Sequence, residues 1–105
     1  MKDLTVSQIT STAIKILESR YCFVWRQNNI AVRGRTFTGM RGMPDIIGYH
    51  MNTGVAVYCE VKTKKDKLSE YQITFLNKAK ASGCHCLLAV DDDGEVKLKD
   101  WTPHD

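Results

Sequence analysis

Near the start of the chain, apolar residues recur at three- and four-residue steps: Val6, Ile9, Ala13, Leu17 and Tyr21. This spacing lines one face of a helix and predicts one from Thr5 to about Arg20. Thr5 as N-cap with Gln8 three positions on forms a capping box, and Leu4 with Ile9 supplies a hydrophobic staple. The pattern then changes. CFVWR, residues 22 to 26, reads as a strand, with Gln27-Asn28-Asn29 as its turn. Ile30 to Phe37 alternates weakly, as the arm of a hairpin would, and Thr38 to Met43 is loop-like.

Pro44 cannot donate a ladder hydrogen bond and so belongs at the beginning or edge of a strand. Asp45 to His50 is expected as that strand, Met51-Asn52-Thr53-Gly54 as a turn, and Val55 to Lys62 as the returning arm of an antiparallel hairpin. Alternation puts Val55, Val57, Cys59 and Val61 on one face of that arm, and Ala56, Tyr58, Glu60 and Lys62 on the other. A second helix is expected from Ser69 to Ser82. Ser69 caps it, Gln72 closes the box, Leu68 staples to Ile73, and Gly83 stops it. Cys84 to Val90 is an unbroken apolar run of strand length, as expected for a central strand covered on both faces. Asp93-Gly94 is a turn signal before a short closing strand, Glu95 to Lys99. Helix, strands, helix, strand, without an internal repeat, suits a three-layer α/β fold with a mixed sheet.

Composition narrows the class only slightly. A chain of 105 residues, 43% hydrophobic and 26% charged, is expected to be one domain over 1–105 with a single core. No apolar run approaches the roughly 20 residues that span a bilayer, and MKDLTVSQIT has no apolar signal core, so a cytoplasmic location without membrane contact is expected. The four cysteines lie mostly in strand-like runs and read as reduced, buried thiols. Cys84-His85-Cys86 lacks a second ligand pair and is a weak zinc signal. A net charge of +3 does not identify a nucleic-acid binder, but its distribution is informative. Arg26, Arg33, Arg35 and Arg41 precede the central hairpin, and Lys62, Lys64, Lys65 and Lys67 follow or end it.

That hairpin also carries charge where a core is expected. Pairing its arms brings Asp45 near Glu60, and two carboxylates held close repel unless something offsets them. A hard divalent cation does so, because Mg²⁺ or Mn²⁺ prefers carboxylate, carbonyl and water oxygens. Lys62, two residues from Glu60, projects from the same face and can reach a phosphate or an attacking water. Such a set suits phosphodiester hydrolysis. An isolated Glu-x-Lys reads ordinarily as an exposed strand end with surface ion pairs worth at most about 1 kcal/mol. It is the combination with an upstream Pro-Asp, a turn of suitable length and a capped helix directly after that is specific.

Pro44-Asp45 followed by Glu60-Val61-Lys62 resembles the PD-(D/E)XK nuclease signature. The flanks Trp25-Arg26-Gln27-Asn28-Asn29, Gly42-Met43-Pro44-Asp45-Ile46-Ile47-Gly48, Glu60-Val61-Lys62-Thr63 and Leu68-Ser69-Glu70-Tyr71-Gln72 resemble the small stand-alone VRR-NUC branch, from about residue 5 to 96. The resemblance implies a restriction-endonuclease-like three-layer α/β fold with an αβββαβ core, its central mixed sheet flanked by helices. It implies Asp45 and Glu60 as ligands of Mg²⁺ or Mn²⁺, the backbone carbonyl of Val61 as a third ligand, and Lys62 as the catalytic lysine. Gln72 matches the glutamine that the family places near the active site; its capping role is the equal alternative, and both can hold. The pattern departs at the first helix. Many relatives carry an acidic residue early there, whereas this chain reads Thr5-Val6-Ser7-Gln8, with Gln8 as the candidate for that oxygen.

Arginines and lysines on both sides of the hairpin suggest contact with DNA phosphates. No sequence-reading motif is present. Minimal relatives are associated with structure-selective cleavage, including four-way (Holliday) junctions resolved by homodimers. The expectation is therefore a dimeric, metal-dependent endonuclease acting on branched DNA, encoded by a phage or mobile element, with no small-molecule cofactor. A general duplex or flap nuclease, and a non-catalytic DNA-binding module, are the alternatives. Phe23, Trp25 and Trp101 are candidate interface residues, or simply core.

Overall fold

The structure, a computed structural model, describes residues 3–27 and 40–103. The arm expected at Ile30 to Phe37 and the candidate DNA contacts Arg33 and Arg35 lie outside the described residues.

Helix α1 spans Val6–Ser19. Thr5 Oγ1 accepts from the Gln8 amide and Gln8 Oε1 accepts from the Thr5 amide, the reciprocal box that the spacing predicts. Strand β1 is Cys22–Arg26, β2 is Ile46–His50 and β3 is Ala56–Lys62. Helix α2, Glu70–Ala81, has the same box between Ser69 and Gln72. Strands β4, His85–Asp92, and β5, Glu95–Asp100, complete the elements of the described residues. Four turn features agree with the expected punctuation: Gly54 and Gly83 have positive φ, as do Asp93 and Gly94 of the β4–β5 turn.

The five strands lie in sequence order, β1 to β5. Every neighbouring pair is antiparallel except β3 and β4, which run parallel. The exception follows from connectivity: β3 returns to β4 through α2, and a crossover helix leaves its two strands parallel. The sheet is therefore mixed. On one face, Ile9, Ala13 and Leu17 of α1 pack with Val24, Ile46, Val57, Cys59 and Leu87. On the other, Leu76 of α2 packs with Cys86 and Trp101, flanked by Tyr58, Ile73 and Leu88. Central strand β4 thus contributes Leu87 to one layer and Cys86 to the other, as its unbroken apolar run predicts. Trp101 is core, its indole N–H donating to Asn77 Oδ1 at 2.9 Å.

Two features fix the sheet's ends. A Cβ on Gly48 would lie 2.0 Å from the Phe23 carbonyl oxygen, so only glycine lets β1 and β2 approach this closely. Asp91, at the end of β4, accepts from the amides of Leu4 and Gly94, both at 2.8 Å. Those two bonds tie the lead-in to α1 to the β4–β5 turn and hold the Asp91 carboxyl below the usual carboxylate range.

All four cysteines are free thiols. Burial pushes the thiols of Cys22, Cys59 and Cys86 up, Cys59 to about 12 and Cys86 to about 11, so they stay protonated. Among the described residues no three His, Cys, Asp or Glu side chains gather as a metal cluster. No helix of the described residues is long and apolar enough to cross a membrane.

Candidate active site

The hairpin register pairs Ile46 with Cys59, and one antiparallel step further brings Asp45 beside Glu60. Two hydrogen bonds hold Asp45 there. Its Oδ2 accepts from the Val61 amide at 2.9 Å, and its carbonyl accepts from the Gln27 amide at 2.7 Å. The preceding Pro44 is fully buried. Before it, Gly42 sits at φ +82°, and a Cβ there would meet the Tyr71 carbonyl oxygen at 2.3 Å and the Gln72 nitrogen at 2.9 Å. A residue without a side chain thus lets this segment lie directly on the first turn of α2. Asp45 and Gln72 are brought to one place by that contact.

Glu60 is 1% exposed and its Oε2 is buried without a hydrogen-bond partner. Burial foremost, then the shared hydrogen bond and negative charge of Asp45, push its carboxyl up to about 10. An acid kept neutral by burial, and further by a second acid beside it, is an arrangement that a divalent cation would reverse. The orphaned oxygen and the adjoining carboxyl are oxygen donors of the kind that Mg²⁺ and Mn²⁺ take. The residues present fit such an ion.

Asp45, Glu60 and Val61 open into a hollow of about 240 Å³, walled also by Gln72, Asp66 and Lys67, with Val6 and Leu68 as its apolar side. Gln72 serves the α2 cap and the hollow together: its Oε1 accepts from the Ser69 amide at 2.7 Å. Lys62 is half-buried at the end of β3 and, by strand alternation, shares Glu60's side. It is not one of the lining residues, but it is near enough to Asp66 to help lower that carboxyl, behind the larger effect of two hydrogen bonds from Thr63. Those bonds, from the Thr63 amide and hydroxyl to Asp66 Oδ2 at 3.0 and 2.7 Å, fix the turn that follows the Glu-Val-Lys run.

The structure separates Gln8 from this group. Its side chain closes the α1 cap and lines a different hollow, with Ser11 and Glu95; the first-turn residue that reaches the carboxylates is Val6. Of the candidate DNA contacts, Lys67 lines the hollow. Lys64 pairs with Asp3 at 3.5 Å, Arg41 lies 5.3 Å over the Tyr71 ring, and Arg26 and Lys65 are exposed. Asp66 was not anticipated, although Thr63 and Asp66 three residues apart carry the spacing of a side-chain-capped turn. A larger groove of about 760 Å³, between Tyr58 and α2, holds no such pair of acids.

The mixed sheet with helices on both faces is the restriction-endonuclease-like architecture, and the two carboxylates meet where its β2 begins and β3 ends. Within that fold class the chain belongs to the VRR-NUC domain family, which matches over residues 9–90. Among solved structures it is similar to Hjc, a Holliday junction resolvase from the archaeal hyperthermophile Archaeoglobus fulgidus. The TM-score is 0.59 at 17% identity, over 90% of this chain and 75% of that one. At that identity the likeness concerns the fold. No curated protein matches the chain.

Proposed function

We propose that this chain, as a single domain over 1–105, is a Mg²⁺- or Mn²⁺-dependent endodeoxyribonuclease of the PD-(D/E)XK type. It acts on branched DNA such as a four-way junction, as a homodimer. The observation that carries the reading is the partnerless, buried Glu60 Oε2 beside Asp45. Family membership and the fold shared with a junction resolvase support it. A junction needs two symmetric incisions, and a chain with one site meets that need as a two-fold dimer. The reading carries a cytoplasmic location, or the host cytoplasm if the chain is phage-encoded.

Asp45, Glu60 and the Val61 carbonyl would hold the ion, which when bound supplies Lewis-acid polarisation of the scissile phosphate. The remaining work falls to the chain's own groups. Lys62 directs its ammonium toward the attacking water and a non-bridging phosphate oxygen, favouring the developing charge. Gln72, with its Oε1 committed to the cap, offers Nε2 hydrogens to orient the phosphate. Lys67 at the rim, and the exposed Arg26, Arg41, Lys64 and Lys65, neutralise flanking phosphates, joined in this reading by Arg33 and Arg35. Val6 lines the hollow where Gln8 was expected to bring an oxygen, so the ion would be held by the two carboxylates and the Val61 carbonyl without Gln8.

The test compares a labelled four-way junction with a linear duplex of equal length, in Mg²⁺, Mn²⁺ or EDTA, alongside Asp45→Ala and Lys62→Ala. Paired, symmetric junction cuts that need metal and vanish in both variants are expected. Equal cutting of the duplex would replace the branched substrate with a general nuclease, and DNA binding without products in any metal would leave a binding module.

A further inference from the structure

We infer that the aromatic half of the sheet, together with the groove beside it, is the surface on which a second copy of this chain docks. The inference gives the proposed homodimer a definite interface and rests on that reading only for the choice of occupant. The two helices divide the sheet unequally. On the α1 side, Cys22, Val24 and Ile46 of β1 and β2 are buried. On the other side α2 packs over β3 and β4, and among the described residues nothing covers β1 and β2. There Phe23 is paired in register with Tyr49, and Trp25 with Ile47. Phe23 is 53% exposed, Trp25 42% and Tyr49 43%, with ring centroids 5.6 Å apart from Phe23 to each of the others.

Chemistry and shape favour another copy. Among the described residues, Phe23, Trp25, Ile47 and Tyr49 form this half of the face with no lysine or arginine between them, and Arg41 and Lys78 lie beyond it in the groove, whereas surfaces that stack single-stranded bases set their aromatics within a basic groove. With Tyr71, 56% exposed, the rings present roughly 400 Å² of surface, from about 150–250 Å² per aromatic side chain. That is half of the roughly 800 Å² per partner in a stable interface, and the groove and rim can supply the rest. The groove adjoins the rings through Tyr58, which is next to Ile47 in register and stacks edge-on to Phe75 at 5.0 Å. Aromatic rings and a groove side by side on one face make a self-complementary patch under a two-fold axis, each copy's rings meeting the other's groove. Tyr71 walls the groove and its neighbour Gln72 walls the catalytic hollow, so docking here would also fix the spacing of the two active sites.

The experiment is sedimentation equilibrium of the full chain, wild type against Phe23→Glu and Tyr49→Lys, with Lys99→Glu on β5 at the opposite sheet edge as control. Wild type and control are expected at twice the 11.9 kDa chain mass; the two face variants are expected at the single-chain mass, still folded cooperatively, with a thermal midpoint that no longer rises with protein concentration. A second measurement leaves the face intact. In Trp101→Phe, Trp25 is the remaining tryptophan, and its emission is expected to shift to the red as dimers dissociate on dilution. A monomeric wild type, a dimer indifferent to both face variants, or face variants that lose their fold while Trp25 emission is unmoved by dilution would each overturn the inference, the last by assigning the face to the chain's own interior. Cleavage is not read here. A dimer that cuts no DNA would sink the nuclease reading alone, and a monomer that resolves junctions would sink the homodimer with its interface and leave the nuclease reading standing.

Discussion

Replacing Glu60 with glutamine should make the metal-free protein more stable. An unfolded Glu60 ionises near 4.5, while the folded carboxyl stays protonated to about 10. Because the folded value is the higher one, its contribution is fully present below pH 4.5 and is lost as pH rises toward 10. Each intervening pH unit is worth about 1.4 kcal/mol. By pH 7 the wild type is therefore disfavoured by about 3 kcal/mol relative to a side chain of the same size that never ionises. Urea unfolding of both proteins in EDTA, followed by circular dichroism, reads this directly. The stability difference should be near zero at pH 4.5 and grow to about 3 kcal/mol at pH 7, or roughly 10 °C or more in thermal midpoint. Mn²⁺ should reverse the order, because binding stabilises only the protein that can hold the ion. A difference that does not change with pH, or a glutamine variant equally stabilised by Mn²⁺, would refute the reasoning.

Gly42→Ala should lower thermal stability by about 1–3 kcal/mol. Because it pushes Pro44-Asp45 away from α2, it should also reduce single-turnover cleavage by roughly a hundredfold; stability loss without an effect on cleavage at low temperature would show that the contact does not position Asp45. Asp91 has a depressed carboxyl, so its contribution is present above the unfolded value of about 3.9 and is lost as pH falls through the lower folded value. Asp91→Asn should be less stable than wild type at neutral pH, with the gap closing in acid when urea midpoints are compared across that range.

The local grammar of the chain was readable because it depends on neighbours in sequence. Thr5 with Gln8 and Ser69 with Gln72 set both helix starts, and each box is present in the structure. Strand alternation placed Glu60 opposite Cys59 and Val61, and the hairpin then brought it to Asp45. What escaped the sequence was three-dimensional. Gln8 sits at the third helical position, where its oxygen turns back to the Thr5 amide, while Val6, nearer the helix start, faces the carboxylates. The tight seat of Gly42 on Tyr71 depends on residues far apart in the chain, and so does the uncovered face at Phe23 and Tyr49, because no local pattern says that α2 stops short of β1 and β2. Trp25 and Trp101 looked alike in sequence, yet the first is on that face and the second in the core.

The central claim is that Asp45 and Glu60 hold a divalent cation beside Lys62. Calorimetric titration of Mn²⁺ at pH 8, in two buffers of different ionisation enthalpy, tests it most directly. The account predicts saturable binding that releases about one proton as Glu60 gives up its own, abolished by Glu60→Gln and by Asp45→Asn. Absence of saturable binding, or binding that survives both substitutions unchanged, would contradict it.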